Sequence, residues 1–295
     1  MHPITNIVAA TDFSAAAELA TRRAALIAKQ LSAELHLVHV VSPLDLYLGP
    51  ELSFNFQLHY EQVQQEAVKA QLDAVAAKLR EQFSIPVQVV TRIGRAHIEI
   101  ASYALSITAG LIVAAAKGEN TLLENLLGST ALRLLRVASC PVLIVKNKNA
   151  EVETYRQVIA AVNFSKGSAR VPTLARTIAP DAHIEALLIF DTNQEAHMYK
   201  AGMDEALLQK YRDEALIGAE KRLGAILAEQ KDSKNMTSQI LAGYPPASIC
   251  ERAKVRQADL IVIGKHDRSN IEDWLLGSVS KGVAYAAKCD VLLMS

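Results

Sequence analysis

Two segments of the chain repeat an arrangement of small and polar residues that can bind an anion. In the first segment, Gly118 is followed after nine residues by Gly128 and Ser129, and Ala115 lies three positions before Gly118. Glycines let backbone amides approach a phosphate closely, and a helix starting at this point presents unpaired amides to it. The first segment therefore predicts an anion site. The second segment has the matching residues Gly264, Asp267, Gly277 and Ser278.

The second segment differs from the first in charge. Asp267 stands where the first segment has Gly118, and Asn163 stands where the first half of the chain has Asp12. A carboxylate about 4 Å from a phosphate oxygen costs about 1 kcal/mol in water and several times more at a partly desolvated site. Lys265 and Arg268 can offset part of this repulsion. We expect the second segment to bind a phosphate group weakly or not at all.

The repetition extends over nearly the whole chain of 295 residues. Residues 6–14 resemble residues 157–165, and residues 92–104 and 126–130 resemble residues 241–253 and 275–279 in the same order. A near-constant displacement of this kind indicates a duplicated domain. We predict two domains, residues 1–147 and 156–295, joined by a polar linker at 147–156.

Each half alternates strand-like and helix-like segments. In the first half, short β-branched segments predict strands at 4–11, 33–41, 85–92, 110–116 and 141–145, and apolar residues at helical spacing predict helices at 14–31, after a capping Ser14, and 60–83. This βαβαβαβαβ order predicts an α/β fold in which each domain is an open five-stranded parallel sheet with helices on both faces. Ligands of such sheets bind at the carboxyl ends of the strands, where Asp12, Val40 and residues 115–118 should converge.

Composition and motifs exclude several classes of protein. Lys and Arg number 31, as do Asp and Glu, so no basic surface predicts binding to nucleic acid. P-loop, G-x-G-x-x-G, H-E-x-x-H and C-x-x-C motifs are absent from the sequence. Three widely spaced cysteines, no readable signal peptide and no apolar run of about 20 residues lead us to expect a cytoplasmic protein with no membrane segment.

The chain resembles a tandem universal stress protein. The family carries the pattern G-x2-G-x9-G-[ST] after its fourth strand, which the first half matches except for Ala115 in place of the first glycine. The resemblance implies Rossmann-like domains of the adenine nucleotide alpha hydrolase-like type and ATP as ligand, with or without Mg. It implies that Asp12 accepts from a ribose hydroxyl and that the backbone of Val40 or Val41 meets the adenine. It further implies a phosphate site at Ala115, Gly118, Gly128, Ser129 and Thr130.

Several of these residues also have structural interpretations. Asp12 can help to cap the first helix, and a small residue with a cap at 128–129 suits any junction between a loop and a helix. Lys117 and Lys265 suit solvated strand ends, and His39 suits a hydrogen-bonded interior imidazole better than a catalyst. Four aromatic residues after the second strand can cover the pocket or, as we favour, pack against the other domain: Tyr47, Phe54, Phe56 and Tyr60.

Three functions are compatible with these observations. The favoured function is a stress-response regulator whose first domain binds ATP and whose occupancy controls an unknown protein partner. The alternatives are an interaction module that binds no nucleotide and a slow ATP hydrolase, for which the sequence offers no persuasive base. The apolar segments 141–146 and 290–294 predict strand pairing in an intramolecular pseudo-dimer, and two chains can dimerise further.

Overall fold

The computed structural model describes residues 3–43, 54–118, 127–146, 154–163, 165–192, 198–229, 235–265 and 276–294. The chain divides into two compact units, with Thr154–Met294 in the second. Tyr155, which the sequence assigned to the linker, is only 4% exposed and donates a hydrogen bond to Asp290 of the same unit at 2.7 Å. The second unit is therefore ordered from its first residues.

The first unit is a parallel sheet with strand order β3-β2-β1-β4-β5. Helices α1 and α2 pack beside each other, and α3 packs against β1 and β2 beside α4. In chain order its elements are β1 (Asn6–Ala10), α1 (Ala15–Leu31), β2 (Glu34–Val41), α2 (Phe54–Phe83), β3 (Val87–Ile93), α3 (Ala96–Ser106), β4 (Leu111–Ala115), α4 (Ser129–Val137) and β5 (Val142–Val145).

The second unit repeats this architecture, with strand order β10-β9-β6-β7-β8, also parallel. A short 3-10 helix at Lys166–Ala169 precedes its first α-helix. Its other elements are β6 (Gln157–Val162), α5 (Arg170–Ile178), β7 (His183–Asp191), α6 (Glu205–Ala228), β8 (Met236–Gly243), α7 (Pro245–Val255), β9 (Leu260–Gly264), α8 (Ser278–Ala286) and β10 (Asp290–Met294).

The central strands of each unit carry the core. β4 and β9 read Leu-Ile-Val-Ala-Ala and Leu-Ile-Val-Ile-Gly, and the first four residues of each are buried. Such continuous apolar strands are expected where helices cover both faces of a parallel sheet. The predicted α/β class, with parallel sheets and helices on both faces, is confirmed. Within the described ranges, no helix combines the length and the apolar character needed to cross a membrane.

Helix α2 begins at Phe54, six residues before the predicted start at Tyr60. The aromatic residues at its beginning resemble a connection more than a helix, because aromatic side chains lower helix propensity. The long helix is held by its later turns, where Leu72, Ala76 and Leu79 are buried. Tyr47 and the side chains of Phe54, Phe56 and Tyr60 lie outside the described residues.

Candidate nucleotide site

The turn after β1 holds the carboxylate of Asp12 in a defined direction. Ser14 donates to Asp12 Oδ1 from both its backbone N (3.1 Å) and its hydroxyl (2.6 Å). Ser14 is the N-cap of α1, and its hydroxyl oxygen accepts from the amide of Ala17 at 3.2 Å, as the sequence predicted. Asp12 thus supports the helix cap indirectly, and its second oxygen, Oδ2, points away from the cap.

Gly118 lies directly opposite that second oxygen. A Cβ built on Gly118 would be 2.6 Å from Asp12 Oδ2, well inside van der Waals contact. The requirement for glycine comes from this close approach, because the φ of Gly118 is outside the left-handed region. The ends of β1 and β4 therefore meet, as the sequence predicted for Asp12 and residues 115–118.

Gly128 closes the other side of this loop. Its amide donates to the carbonyl of Ala116 at 2.7 Å, and an added Cβ would be 3.3 Å from the same oxygen. Gly128 is also the N-cap of α4, which makes Ser129 and Thr130 the first two residues of the helix. The interpretation of Ser129 as the cap is thus wrong, since the glycine occupies that position.

A glycine N-cap has consequences for anion binding. The first amides of a helix have no intrahelical acceptor, and a Ser, Thr, Asp or Asn cap normally satisfies one of them. Gly128 has no side chain to do so, while Ser129 and Thr130 are exposed. The start of α4 therefore offers free donors and the positive end of the helix dipole beside the Gly118 loop.

His39 fixes the turn that carries Asp12. Its Nδ1 donates to the carbonyl of Thr11 at 2.9 Å, and its ring stacks on Phe13 with centroids 4.8 Å apart. Phe13 has a φ of 64°, a left-handed conformation that costs energy for a bulky residue. Burial lowers the pKa of His39, while the bond to Thr11 and the charge of Asp12 oppose this effect. His39 acts here as a hydrogen-bonded interior imidazole.

The remaining predicted residues lie at the same edge of the sheet. Val40 is the next-to-last residue of β2 and pairs with Arg92 of β3. Ala115 ends β4, and at the matching position of the second unit, Gly264, an added Cβ meets no atom of the described residues within 4 Å. The methyl group of Ala115 is thus compatible with the local geometry. Lys117 follows β4 and is partly exposed.

The second unit keeps the backbone hydrogen bond between the two ends of this loop but differs in the side chains beside it. The amide of Gly277 donates to the carbonyl of Lys265 at 3.2 Å, matching the bond of Gly128. The Ser280 hydroxyl donates to the carbonyl of Gly264 at 2.6 Å, whereas the first unit has Ala131 at that position. Asn163 Oδ1 accepts from the amide of Ser165 at 2.9 Å. Asp267 and Arg268, which carried the predicted loss of phosphate binding, lie outside the described residues.

The sequence interpretation overlooked a group of basic residues near the start of α4. Arg95 precedes α3, His97 lies in its first turn, and Arg133 lies in α4. A comparison of the two repeats could have found them, because the matching positions of the second half carry Tyr244, Pro246 and Gly282, none of which is charged.

Two parallel-sheet units, the first with a glycine loop beside a helix start, define a Rossmann-like α/β protein. The sequence model of the Universal stress protein family matches residues 3–146 and again residues 154–295. The chain therefore belongs to this family and carries two copies of its domain in tandem. The resemblance found in the sequence is confirmed.

Individual relatives agree with this assignment. The chain is 28% identical over 307 residues to a universal stress protein of Mycolicibacterium smegmatis, covering 98% of this chain and 96% of the relative. It is 32% identical over 145 residues to one of Methanocaldococcus jannaschii, covering 49% of this chain and 84% of that protein. The crystal structure of a universal stress protein from Archaeoglobus fulgidus aligns with a TM-score of 0.67 at 19% identity, covering 98% and 96% of the two chains, which shows a common fold.

Proposed function

We propose that the first domain binds an adenine nucleotide, ATP, and that the chain acts as a stress-response regulator whose state depends on this binding. Membership of the universal stress protein family supports the stress-response role. The observation that carries the nucleotide proposal is the approach of Gly118 to Asp12, where an added Cβ would lie 2.6 Å from Oδ2. The contact brings a fixed carboxylate next to a glycine at the strand end that precedes the start of α4.

The groups near this contact match the parts of a nucleotide. The free amides at Ser129 and Thr130 suit phosphate oxygens, because helix starts favour anions. Asp12 suits a ribose hydroxyl, because an ionised carboxylate is a strong acceptor and its position is held by Ser14. The backbone of Val40, at the end of β2, suits the adenine edge.

Calorimetric titration of the purified chain with ATP tests the proposal. We expect binding by the native chain and a loss of more than tenfold in affinity for Gly118→Asp. A side chain at 118 meets Asp12 Oδ2, and the added carboxylate repels both Asp12 and a phosphate. Asp267→Gly is the matched change in the second half and is expected to leave the affinity of the first site unchanged.

The outcome that contradicts the proposal is absence of heat from the native chain over a range of ATP concentrations and temperatures. Equal affinities of the native chain and Gly118→Asp would mean that ATP binds elsewhere. The cytoplasmic location, the domain boundaries and the pairing of residues 141–146 with 290–294 stay predictions.

A further inference from the structure

Helices α3 and α4 pack against each other in the first unit, and three basic residues lie on them or directly before α3. We call Arg95, His97 and Arg133 the basic cluster. Arg95 is the N-cap residue of α3, and its side chain makes no capping hydrogen bond. In the part of the chain that the structure describes, the exposed side chains of Arg95 and Arg133 form no ion pair. Both charges are thus available to an anionic ligand.

The members of the basic cluster lie close enough to interact electrically. His97 has a lowered pKa, chiefly because of burial and further because of the charges of Arg133 and Arg95. Arg95 and Arg133 both repel a protonated His97, so the grouping of these residues does not stabilise the fold without a ligand. An anion between them would remove this repulsion.

Arg133 connects the basic cluster to the start of α4. It lies four residues after Ser129 and three after Thr130, on the same exposed face of the helix. Side chains of a helix lean toward its N-terminus, so a side chain at position 133 is directed toward the turn that begins at Gly128. The opposite face of α4 is buried through Ala131, Leu134 and Leu135.

The second unit shows that the helix contact itself needs no charge. At the positions of His97 and Arg133 it has Pro246 and Gly282, and an added Cβ on Gly282 would be 2.8 Å from Pro246 Cβ. The same two helices therefore pack closely there through apolar groups. The packing of these two helices therefore does not require the basic residues of the first unit. At these matching positions, basic residues occur only in the unit that contains Gly118.

We propose that the basic cluster binds the terminal phosphate of a nucleotide whose first phosphates lie at the start of α4. The inference rests on the proposed function and narrows its ligand class to nucleoside di- and triphosphates, in preference to monophosphates. Arginine suits this role because its planar guanidinium donates two parallel hydrogen bonds to a phosphate.

Titration calorimetry with ATP, ADP and AMP on the full chain tests the inference. Arg133→Gln and Arg95→Gln are each expected to weaken ATP binding by about tenfold to hundredfold, the effect of one hydrogen bond to a charged group. AMP affinity should change by less than twofold, since AMP lacks the terminal phosphate. Lys281→Gln is the matched control, because it removes one exposed charge from α8, which corresponds to α4.

Each result has a definite meaning. Suppose that ATP binds the native chain but that both arginine variants bind ATP as tightly, or lose affinity for AMP as much as for ATP. In either case the basic cluster does not bind the terminal phosphate, and the proposed function stands. If the native chain binds none of the three nucleotides, both proposals fail. Thermal unfolding of each variant without nucleotide should match that of the native chain, since both arginine side chains are exposed.

Discussion

Gly118→Ala is expected to weaken ATP binding by about tenfold to hundredfold. The new Cβ would stand 2.6 Å from Asp12 Oδ2, and ordinary van der Waals contact begins at 3.4 Å, so the oxygen must move by about 0.8 Å. Rotation of the carboxylate is resisted because Oδ1 accepts two hydrogen bonds from Ser14. Displacing a hydrogen-bonding carboxylate from its ligand costs about 1.5–3 kcal/mol, which corresponds to this range of affinities.

A double-mutant cycle separates this mechanism from a simple loss of space. Affinity for ATP is measured by calorimetry for the native chain, Gly118→Ala, Asp12→Ala and the double variant. If the methyl group acts by moving the carboxylate, Gly118→Ala should cost less than about twofold once Asp12 is alanine. An equally large cost in both backgrounds would refute the reasoning.

Two further measurements are controls for the double-mutant cycle. Gly264→Ala, in the second unit, adds a methyl group that meets none of the described atoms within 4 Å and should leave ATP affinity unchanged. Thermal unfolding without nucleotide should place Gly118→Ala within about 1 kcal/mol of the native chain, the usual scale for disturbing one helix cap.

Three other measurements test the environment of single residues within the individual units. Glu185→Gln should lower the free energy of unfolding in urea by about 2–4 kcal/mol, because Glu185 is 3% exposed and Arg252 donates to both its oxygens at 2.6 and 2.8 Å; an unchanged midpoint would contradict this. Burial raises the pKa of Cys140 to about 11, so its alkylation by iodoacetamide at pH 7.5 should be about 100-fold slower than that of an ordinary thiol, and rapid labelling of the folded chain would disagree. Ser280→Ala should cost about 1 kcal/mol in the same urea assay through loss of the bond to the Gly264 carbonyl, with a neutral result arguing against that bond.

The arrangement of the strand ends could be predicted from the sequence, because the order of elements in a parallel sheet determines which ends meet. The contact between Asp12 and Gly118 could not. It depends on the left-handed turn at Phe13 and on the direction in which Ser14 holds the carboxylate. A glycine pattern predicts room for a ligand, but the atom that faces the glycine is decided by side-chain geometry.

The polar side-chain interactions between the sheet and a helix could not be predicted from the sequence pattern either. In the first unit, His36 of β2 lies 2.8 Å from the hydroxyl of Tyr103 of α3, and in the second unit Glu185 binds Arg252. The paired positions differ by 149 residues in both cases (185 − 36 and 252 − 103). A His–Tyr pair in one copy thus corresponds to a Glu–Arg ion pair in the other, and in each copy the buried polar group has a matching neighbour.

The same comparison explains why the two units need not share a function. In the second unit, the Ser280 hydroxyl ties the start of α8 to the Gly264 carbonyl, so side chains of the unit itself connect the strand end to the helix. In the first unit, Ala131 supplies no such bond. Among the described residues there, a backbone hydrogen bond from Gly128 to Ala116 joins the strand end to the helix start, and Gly118 faces the carboxylate of Asp12. A loop without its own side-chain link gains more from a ligand that bridges it, because binding then supplies the missing hydrogen bonds. By this argument ATP should stabilise the first unit against local opening and leave the second nearly unaffected.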